Sequence, residues 1–570
     1  MKLNRKIVPA LILVCLIMFA ACRSLNNNGQ KDWLTVEIRV DQPELAQGRN
    51  QSAASGAQTA LITAIPATVS TITSHTDYST YFDQQLQNLV TGTVTLSVPL
   101  NEPMQLVKRT YSSVLDLEQA SLSDSYTAIG TSASFSITGS ETSKTVTISY
   151  SEGSWTFVDG DGVSGINRVA AANGVDPRLV EYNSKLYAFW AEPHGTYAVQ
   201  NILASEWDGS STWTSINENP WDGLNYQPSD NGEHIRLAVF ENKIWVTWVE
   251  NYFNGVNDKR QVRVKAWDGT SWTWQDNGMD DGGINMSIYD SARMPFLAVH
   301  NNELFLAWGE NTDSGNFRNV RVKKWDGTSS WVSVDGGGAA GAAGINKNVV
   351  DGDCESCAAH LITYNTKLYA VWGELYPTGT KKSQVRIAEW DGTSTWTFVD
   401  DSVDADPDSG LNKDITRTIS GPVPAVLGSK LYILWSESNS LDKHQIRLIE
   451  WDGTTWAFVD GDALDIGLNK DSTYTTIVPE LYTHDSKLYA TWSEQNAASK
   501  YQIRVLEWDG VSAKTFIDGD GADGINKDTA LDAVWGRPAT FNSQLYLTWA
   551  EGVNFFVAGM NFNIRVIRAP

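Results

Sequence analysis

Seven tryptophans recur at near-even intervals, each closing an apolar strand in the pattern Trp-x-Glu: Trp190, Trp248, Trp308, Trp372, Trp435, Trp492 and Trp549. The intervals are 58, 60, 64, 63, 57 and 57 residues. A period of that length holds four short strands and is too long for a helical hairpin or a solenoid coil. Residues 151–570 are therefore expected to form an all-β, seven-bladed β-propeller of four-stranded blades.

The sixth copy shows the plan. Val478-Pro479-Glu480-Leu481-Tyr482 is a short strand and His484-Asp485-Ser486 a tight turn; Lys487 to Trp492 alternates β-branched and aromatic residues as a half-buried strand does. Gln502 to Trp508 is the third strand and runs into the turn pair Asp509-Gly510. Complete copies add a Trp-bearing fourth strand, as in Trp456-Ala457-Phe458-Val459, then a loop rich in Asp and Gly that ends in Gly-Ile/Leu-Asn, such as Gly467-Leu468-Asn469. The last copy ends at its third strand, Asn563 to Arg568, whereas a stray fourth strand, Ser154-Trp155-Thr156-Phe157-Val158, precedes the first copy. If that strand completes blade 7, the ring closes and exposes no sheet edge.

Ahead of the repeats, Lys2, Arg5 and Lys6 precede the apolar run Ile7 to Ala21, which has the form of a secretory signal and is short for a bilayer span. Phe19-Ala20-Ala21-Cys22 follows and resembles the lipobox of bacterial lipoproteins, with Phe19 in place of the usual Leu. The resemblance implies that residues 1–21 are a lipoprotein signal peptide, that Cys22 carries the lipid and that the mature chain is anchored to a membrane in the cell envelope. Arg23 rather than Asp after the Cys implies the outer membrane in a Gram-negative cell; in a Gram-positive cell the chain would sit on the outer face of the plasma membrane. The alternative is an ordinary secretory signal followed by an incidental Cys. Residues 22–31 read as a polar tether. Residues 32–150 read as a β-sandwich, Ig-like or transthyretin-like, on the alternating segments Trp33 to Val40, Gly92 to Val98 and Lys144 to Tyr150, with Ala53 to Ser74 as a loop.

The formal charge of −24 becomes −27 once Lys2, Arg5 and Lys6 leave with the signal. No basic stripe offsets it, so nucleic acid is excluded as a partner, and the charged surface suits a monomer. Of four cysteines only Cys354 and Cys357 lie in the propeller; outside the cytoplasm they are expected to form a local disulfide, since zinc would need two ligands beyond them and only His360 is near.

The most repeated charges are the Trp-x-Glu carboxylates, Glu192 to Glu551, and the third-strand arginines Arg263, Arg321, Arg386, Arg447, Arg504 and Arg565, with Leu203 in that place in blade 1. If Glu494 pairs with Gln502 and Trp492 with Arg504, Glu and Arg become diagonal neighbours, within salt-bridge reach, and the guanidinium covers the indole. Recurrence in nearly every blade marks these residues as scaffold. Trp-Asp-Gly, at Trp207, Trp267, Trp325, Trp390, Trp451 and Trp508, is similar in position to the structural Asp-box turn of sialidases, with different spacing. The strand plan resembles kelch repeats and the central propeller of galactose oxidase, although the kelch diglycine is absent. That resemblance implies a propeller and no catalytic residue; no Tyr, His and Cys set suggests copper.

Binding is expected on the face that carries the inter-blade loops and the loops of variable length. Their unrepeated aromatics, Tyr197, Tyr252, Phe253, Phe317, Tyr376, Phe555 and Phe556, are the candidate ligand contacts, for stacking on a sugar or anchoring an envelope protein. In the inter-blade loops Asp159 and Asp161, Asp460 and Asp462, and Asp518 and Asp520 alternate with Gly, offering hard oxygen ligands for Ca²⁺ without an EF-hand pattern; solvated turns are the other reading. Two functions are compatible with this sequence: a surface-displayed binding or scaffold module, the preferred reading, and a propeller glycoside hydrolase or lyase acting on extracellular polysaccharide. An enzyme should gather unlike acids and bases in a few blades, whereas the acids visible in the sequence follow the repeat.

Overall fold

The computed structural model describes seven strands before residue 152 by their backbone, and the blades with most of their turns from Trp155 to Ala569; the longer segments left undescribed in the second unit are 277–282, 312–317, 337–343, 348–358, 376–381, 401–409 and 554–560. The chain divides at Gly153 into two compact units. No described residue is helical.

In the first unit, strands Trp33–Asp41, Thr59–Pro66, Asp83–Gln87, Thr93–Pro99, Met104–Tyr111, Ala128–Ser132 and Ser143–Ser151 join in the order third, second, fifth, sixth, seventh, first, fourth. All pairs are antiparallel except Trp33–Asp41 with Ser143–Ser151. The two strands that end the order, Asp83–Gln87 and Thr93–Pro99, approach each other, so the sheet curls back on itself. One expectation is corrected. Thr59–Pro66, placed in a loop on its Ala and Thr content, is a strand paired on both edges, with Asp83–Gln87 and with Met104–Tyr111. Two ladders outweigh a composition that by itself favours no element.

The second unit is seven four-stranded antiparallel sheets. Blade 6 comprises Thr476–His484, Lys487–Gln495, Tyr501–Trp508 and Thr515–Phe516. The first strands of successive blades lie against one another and form the inner ring. Apolar faces of adjacent blades close over each other: Phe189 and Ile202 of blade 1 pack with Val246 and Trp248 of blade 2. The seven repeat tryptophans are among the largest fully buried side chains, so each interface is centred on an indole.

Closure occurs as the bookends predict. Thr156–Phe157 is the fourth strand of blade 7, with Phe157 opposite Ile567 and Thr156 opposite Arg568. Trp155 Nε1 donates to Ile517 O of blade 6 at 2.9 Å, as Trp213 Nε1 does to Val158 O of blade 7 and Trp456 Nε1 to Val399 O of blade 4. The strand therefore carries the same inter-blade tie as its counterparts.

The Gly-Ile/Leu-Asn loops fold beneath the third strand of the blade they leave. Asn526 Oδ1 accepts from Ile503 N at 2.9 Å, and a Cβ on Gly524 would stand 2.3 Å from Ile503 O. With φ at +58°, that position admits glycine on both counts.

Candidate functional site

The repeated Trp-x-Glu carboxylate fastens neighbouring blades. Glu494 Oε2 accepts from Trp492 Nε1 at 2.9 Å and from Lys470 N at 3.0 Å, and Oε1 accepts from Asp471 N at 3.0 Å. Lys470 and Asp471 belong to the loop arriving from blade 5. Glu250 holds Tyr226 and Gln227 from blade 1, and Glu551 holds Lys527 and Asp528 from blade 6, in the same way. A cleft of about 210 Å³ beside the Glu250 clasp, lined by Tyr226, Gln227, Asp230 and Arg263 among others, belongs to this machinery.

The expected register is observed, with Glu494 opposite Gln502 and Trp492 opposite Arg504. The principal partner of the arginine differs from the expected one. Arg504 reaches Glu494 only at 4.0 Å, while its Nη1 donates to Asp518 Oδ2 at 3.0 Å. The same pairing links Arg263 to Asp276, Arg321 to Asp335, Arg386 to Asp400, Arg447 to Asp460 and Arg565 to Asp159. Where Leu203 replaces the arginine, Asn217 replaces the aspartate and accepts from Ala204 N at 2.9 Å. That covariation stands in the sequence, two residues past each fourth strand, and the metal-like look of those loops obscured it.

Three of the six calcium candidates are thus engaged elsewhere: Asp159, Asp460 and Asp518 are buried, each on an arginine. Asp161, Asp462 and Asp520 lie outside the described residues, and among the described residues no cluster of three or more His, Cys, Asp or Glu side chains could hold a metal. The Asp-box-like turns are local caps: Asp452 Oδ1 accepts from Thr454 N and Thr455 N at 2.8 Å. Of the candidate aromatics, Tyr197 is 52% exposed and stacks on His194 at 4.9 Å between ring centres. Tyr252 and Phe253 fall in the second strand of blade 2, with side chains outside the description; Phe317, Tyr376, Phe555 and Phe556 lie outside the described residues, as do Cys22, Cys354 and Cys357.

The structure draws together a group that the sequence reading passed over. In every blade the residue twelve positions before the repeat tryptophan pairs with the residue just before that tryptophan: Arg178 with Phe189, Arg236 with Thr247, Phe296 with Ala307, His360 with Val371, Val423 with Leu434, Glu480 with Thr491 and Arg537 with Thr548. These seven residues are structurally equivalent, one from each inner strand, and so form a single ring about the axis. The ring lies near the start of those strands, hence toward the face of the inter-blade loops. Two residues earlier, Asp176, His234, Met294, Gly421, Val478 and Trp535 all have φ between +48° and +63°, at the register shift of each described first-strand bulge. A bulge re-aims the side chains beside it, and holding non-glycine residues in this conformation costs free energy.

The ring is lopsided. Blades 7, 1 and 2 supply Arg537, Arg178 and Arg236 consecutively, and blade 6 supplies Glu480. Arg178 lies 3.4 Å from Glu480 and 3.7 Å from Asp176; Arg236 lies 3.8 Å from Asp176; Arg537 pairs with Glu480 and lies 3.7 Å from Asp176. Burial pushes the Asp176 carboxyl up, but the three arginines outweigh it and hold the group below its ordinary range. Burial, then repulsion from Arg178, brings Arg236 down to about 9; burial with repulsion from Arg178 and Arg236 holds Arg537 well below its ordinary value. Guanidinium does not deprotonate in proteins, so these shifts express burial first and crowding of positive charge second. In the next two blades, 3 and 4, His360 stacks on Phe296 at 4.4 Å with planes 20° apart, and burial plus the same arginines keep its imidazole neutral.

The fold and this ring define a seven-bladed propeller with an asymmetric, cationic site on its axis. No protein-family model matches the sequence, and no curated protein matches it. Among solved structures it is similar to polysaccharide lyase Uly1, at 13% identity over 73% of this chain and 96% of that one with a TM-score of 0.45, and to Trypanosoma rangeli sialidase, at 11% over 71% and 70% with a TM-score of 0.38. An α-L-arabinanase of Penicillium chrysogenum is similar at 11% identity over 59% of this chain and 93% of that one, with a TM-score of 0.37. At these identities the likeness is one of fold.

Proposed function

We propose that this protein is a glycan-binding module displayed on the cell envelope, held there by a lipid on Cys22, which receives its ligand at the loop-face mouth of the propeller axis. The observation that carries this reading is the ring twelve residues before each repeat tryptophan. Its neighbours in the blades repeat; it does not, combining arginines, a carboxylate and a stacked Phe296–His360 pair on the inner strands. Polar groups fix a sugar's orientation and aromatic rings cover its C–H face.

A screen of the purified mature protein against glycans and envelope proteins tests it, with Arg178→Ala and Tyr197→Ala as variants. Glycan binding weakened by either substitution is expected, with the melting temperature unchanged in Tyr197→Ala and lowered in Arg178→Ala, where Asp176 and Glu480 lose a partner; binding to protein partners alone would overturn the glycan reading. The anchor is tested separately, by membrane fractionation of Cys22→Ser, which should be released into the soluble fraction.

A second reading, a propeller hydrolase or lyase on polysaccharide, is favoured by one feature. Asp176, Glu480 and His234 are unlike acids and bases brought near the axis by blades 1, 6 and 2, the asymmetry that an enzyme requires and that the repeated acids lack. Release of reducing ends or of unsaturated products from a bound polysaccharide would establish it.

A further inference from the structure

We infer that the axial ring selects an acidic sugar, its oxyanion seated among Arg178, Arg236 and Arg537 and its ring against Phe296. This inference rests on the glycan-binding reading of the same site and names the ligand class. Three guanidinium groups face two carboxylates, Asp176 and Glu480, and His360 adds no charge, so the cluster holds one positive charge in excess. Several of its contacts are long. Arg236 comes no nearer to Asp176 than 3.8 Å and spends Nη1 on Ile235 O, while Arg178 Nε and Nη2 and Arg537 Nε are buried without a hydrogen bond. Buried donors of this kind are ordinarily satisfied, and a planar guanidinium meets an oxyanion with two parallel N–H bonds.

The rest of the molecule sharpens the argument. With residues 1–21 removed the chain carries a formal −27, so its surface repels an acidic polymer, and a cationic ring set within such a surface favours an anion at that one place. The asymmetry also orients the ligand. Arginines occupy three consecutive blades, and the stacked Phe296–His360 pair comes from blades 3 and 4 next to them, so an anion on one side of a sugar ring and its C–H face on the other are met together. Carboxylates and sulfate esters share this chemistry, and the assay separates them.

The test is calorimetric titration of the mature protein with four probes: an oligogalacturonate, its methyl ester, a sulfated neutral oligosaccharide and the unsulfated parent. Binding of the oligogalacturonate or the sulfated sugar, at least tenfold tighter than of its uncharged counterpart, is expected, with affinity falling as salt rises; which one binds identifies the oxyanion. Arg178→Gln should weaken that binding at least tenfold and Arg178→Lys less, both read on protein that keeps a cooperative melting transition, since Arg178→Gln deprives Asp176 and Glu480 of a partner. Equal binding of charged and uncharged probes would overturn the inference and leave the glycan reading standing, whereas no binding of any probe would overturn both for these sugars. If Arg178→Gln fails to fold, the comparison of ester with acid still decides.

Discussion

The indole N–H of Trp492 and the backbone N–H groups of Lys470 and Asp471 converge on one carboxylate, Glu494, itself 1% exposed. The carboxylate therefore joins blade 6 to the loop leaving blade 5. Glu494→Ala leaves three donors without an acceptor and should cost about 3–4 kcal/mol, whereas Glu494→Gln, which keeps one carbonyl, should cost about 1–2 kcal/mol. Urea unfolding of the two variants checks the order; equal costs would show that hydrogen bonding is not what the side chain supplies.

The Arg504–Asp518 pair invites a double-mutant cycle, because blade 1 already carries the apolar and amide alternative, Leu203 with Asn217. Arg504→Leu alone strands a buried carboxylate and should destabilise by about 3–5 kcal/mol. Adding Asp518→Asn should recover at least half of that loss. Additive costs in the double variant would contradict the pairing.

Stability should depend on pH in two opposed ways. Burial raises Glu250 to about 7 from 4.5, and Asp276 and Asp518 to about 6 from 3.8. The folded chain then keeps protons that the unfolded chain has released, so this contribution is complete below about pH 4 and is lost as pH rises through 6 and 7. For Glu250 the loss is on the order of 3 kcal/mol by pH 8, at about 1.4 kcal/mol per unit. Asp326, lowered to about 2 by the backbone N–H groups it caps, acts oppositely, its contribution being lost as pH falls from 3.8 through 2. Melting temperature should therefore be higher at pH 5 than at pH 8, and Glu250→Gln should narrow that difference. A melting temperature that rises steadily from pH 5 to pH 8 would refute the assignment.

Ring closure rests on a short strand. Deleting 154–158 removes the partner of Ile567 and Arg568 and the Trp155 tie to Ile517. A sharp fall in melting temperature is expected, and Trp155→Phe, which keeps the ring but loses the indole donor, should produce a small part of it. An unchanged transition after the deletion would mean that blade 7 closes by other means.

Much of the scaffold was legible because its signals are local or periodic. The tryptophan period gave blade number and the bookends gave closure, and the register of Glu494 with Gln502, entertained as a condition for the Glu and Arg ladder, is the one observed. The Arg–Asp pairing was present as covariation at Leu203 and Asn217 but concealed by the metal-like look of Asp-Gly loops. Thr59–Pro66 was misread because its pairing partners, not its residues, make it a strand.

The sequence by itself determined the ring of blades, since burial of a two-residue alternation on both faces of a four-stranded sheet admits few other assemblies once it repeats seven times. Only the tertiary structure decided where the chain departs from its own repeat to any purpose. Arg178, Arg236, Glu480 and Arg537 are up to 359 residues apart along the chain and lie in otherwise ordinary strands. They become neighbours because circular closure sets blade 7 beside blade 1, and a contact made by closure leaves no local pattern to read.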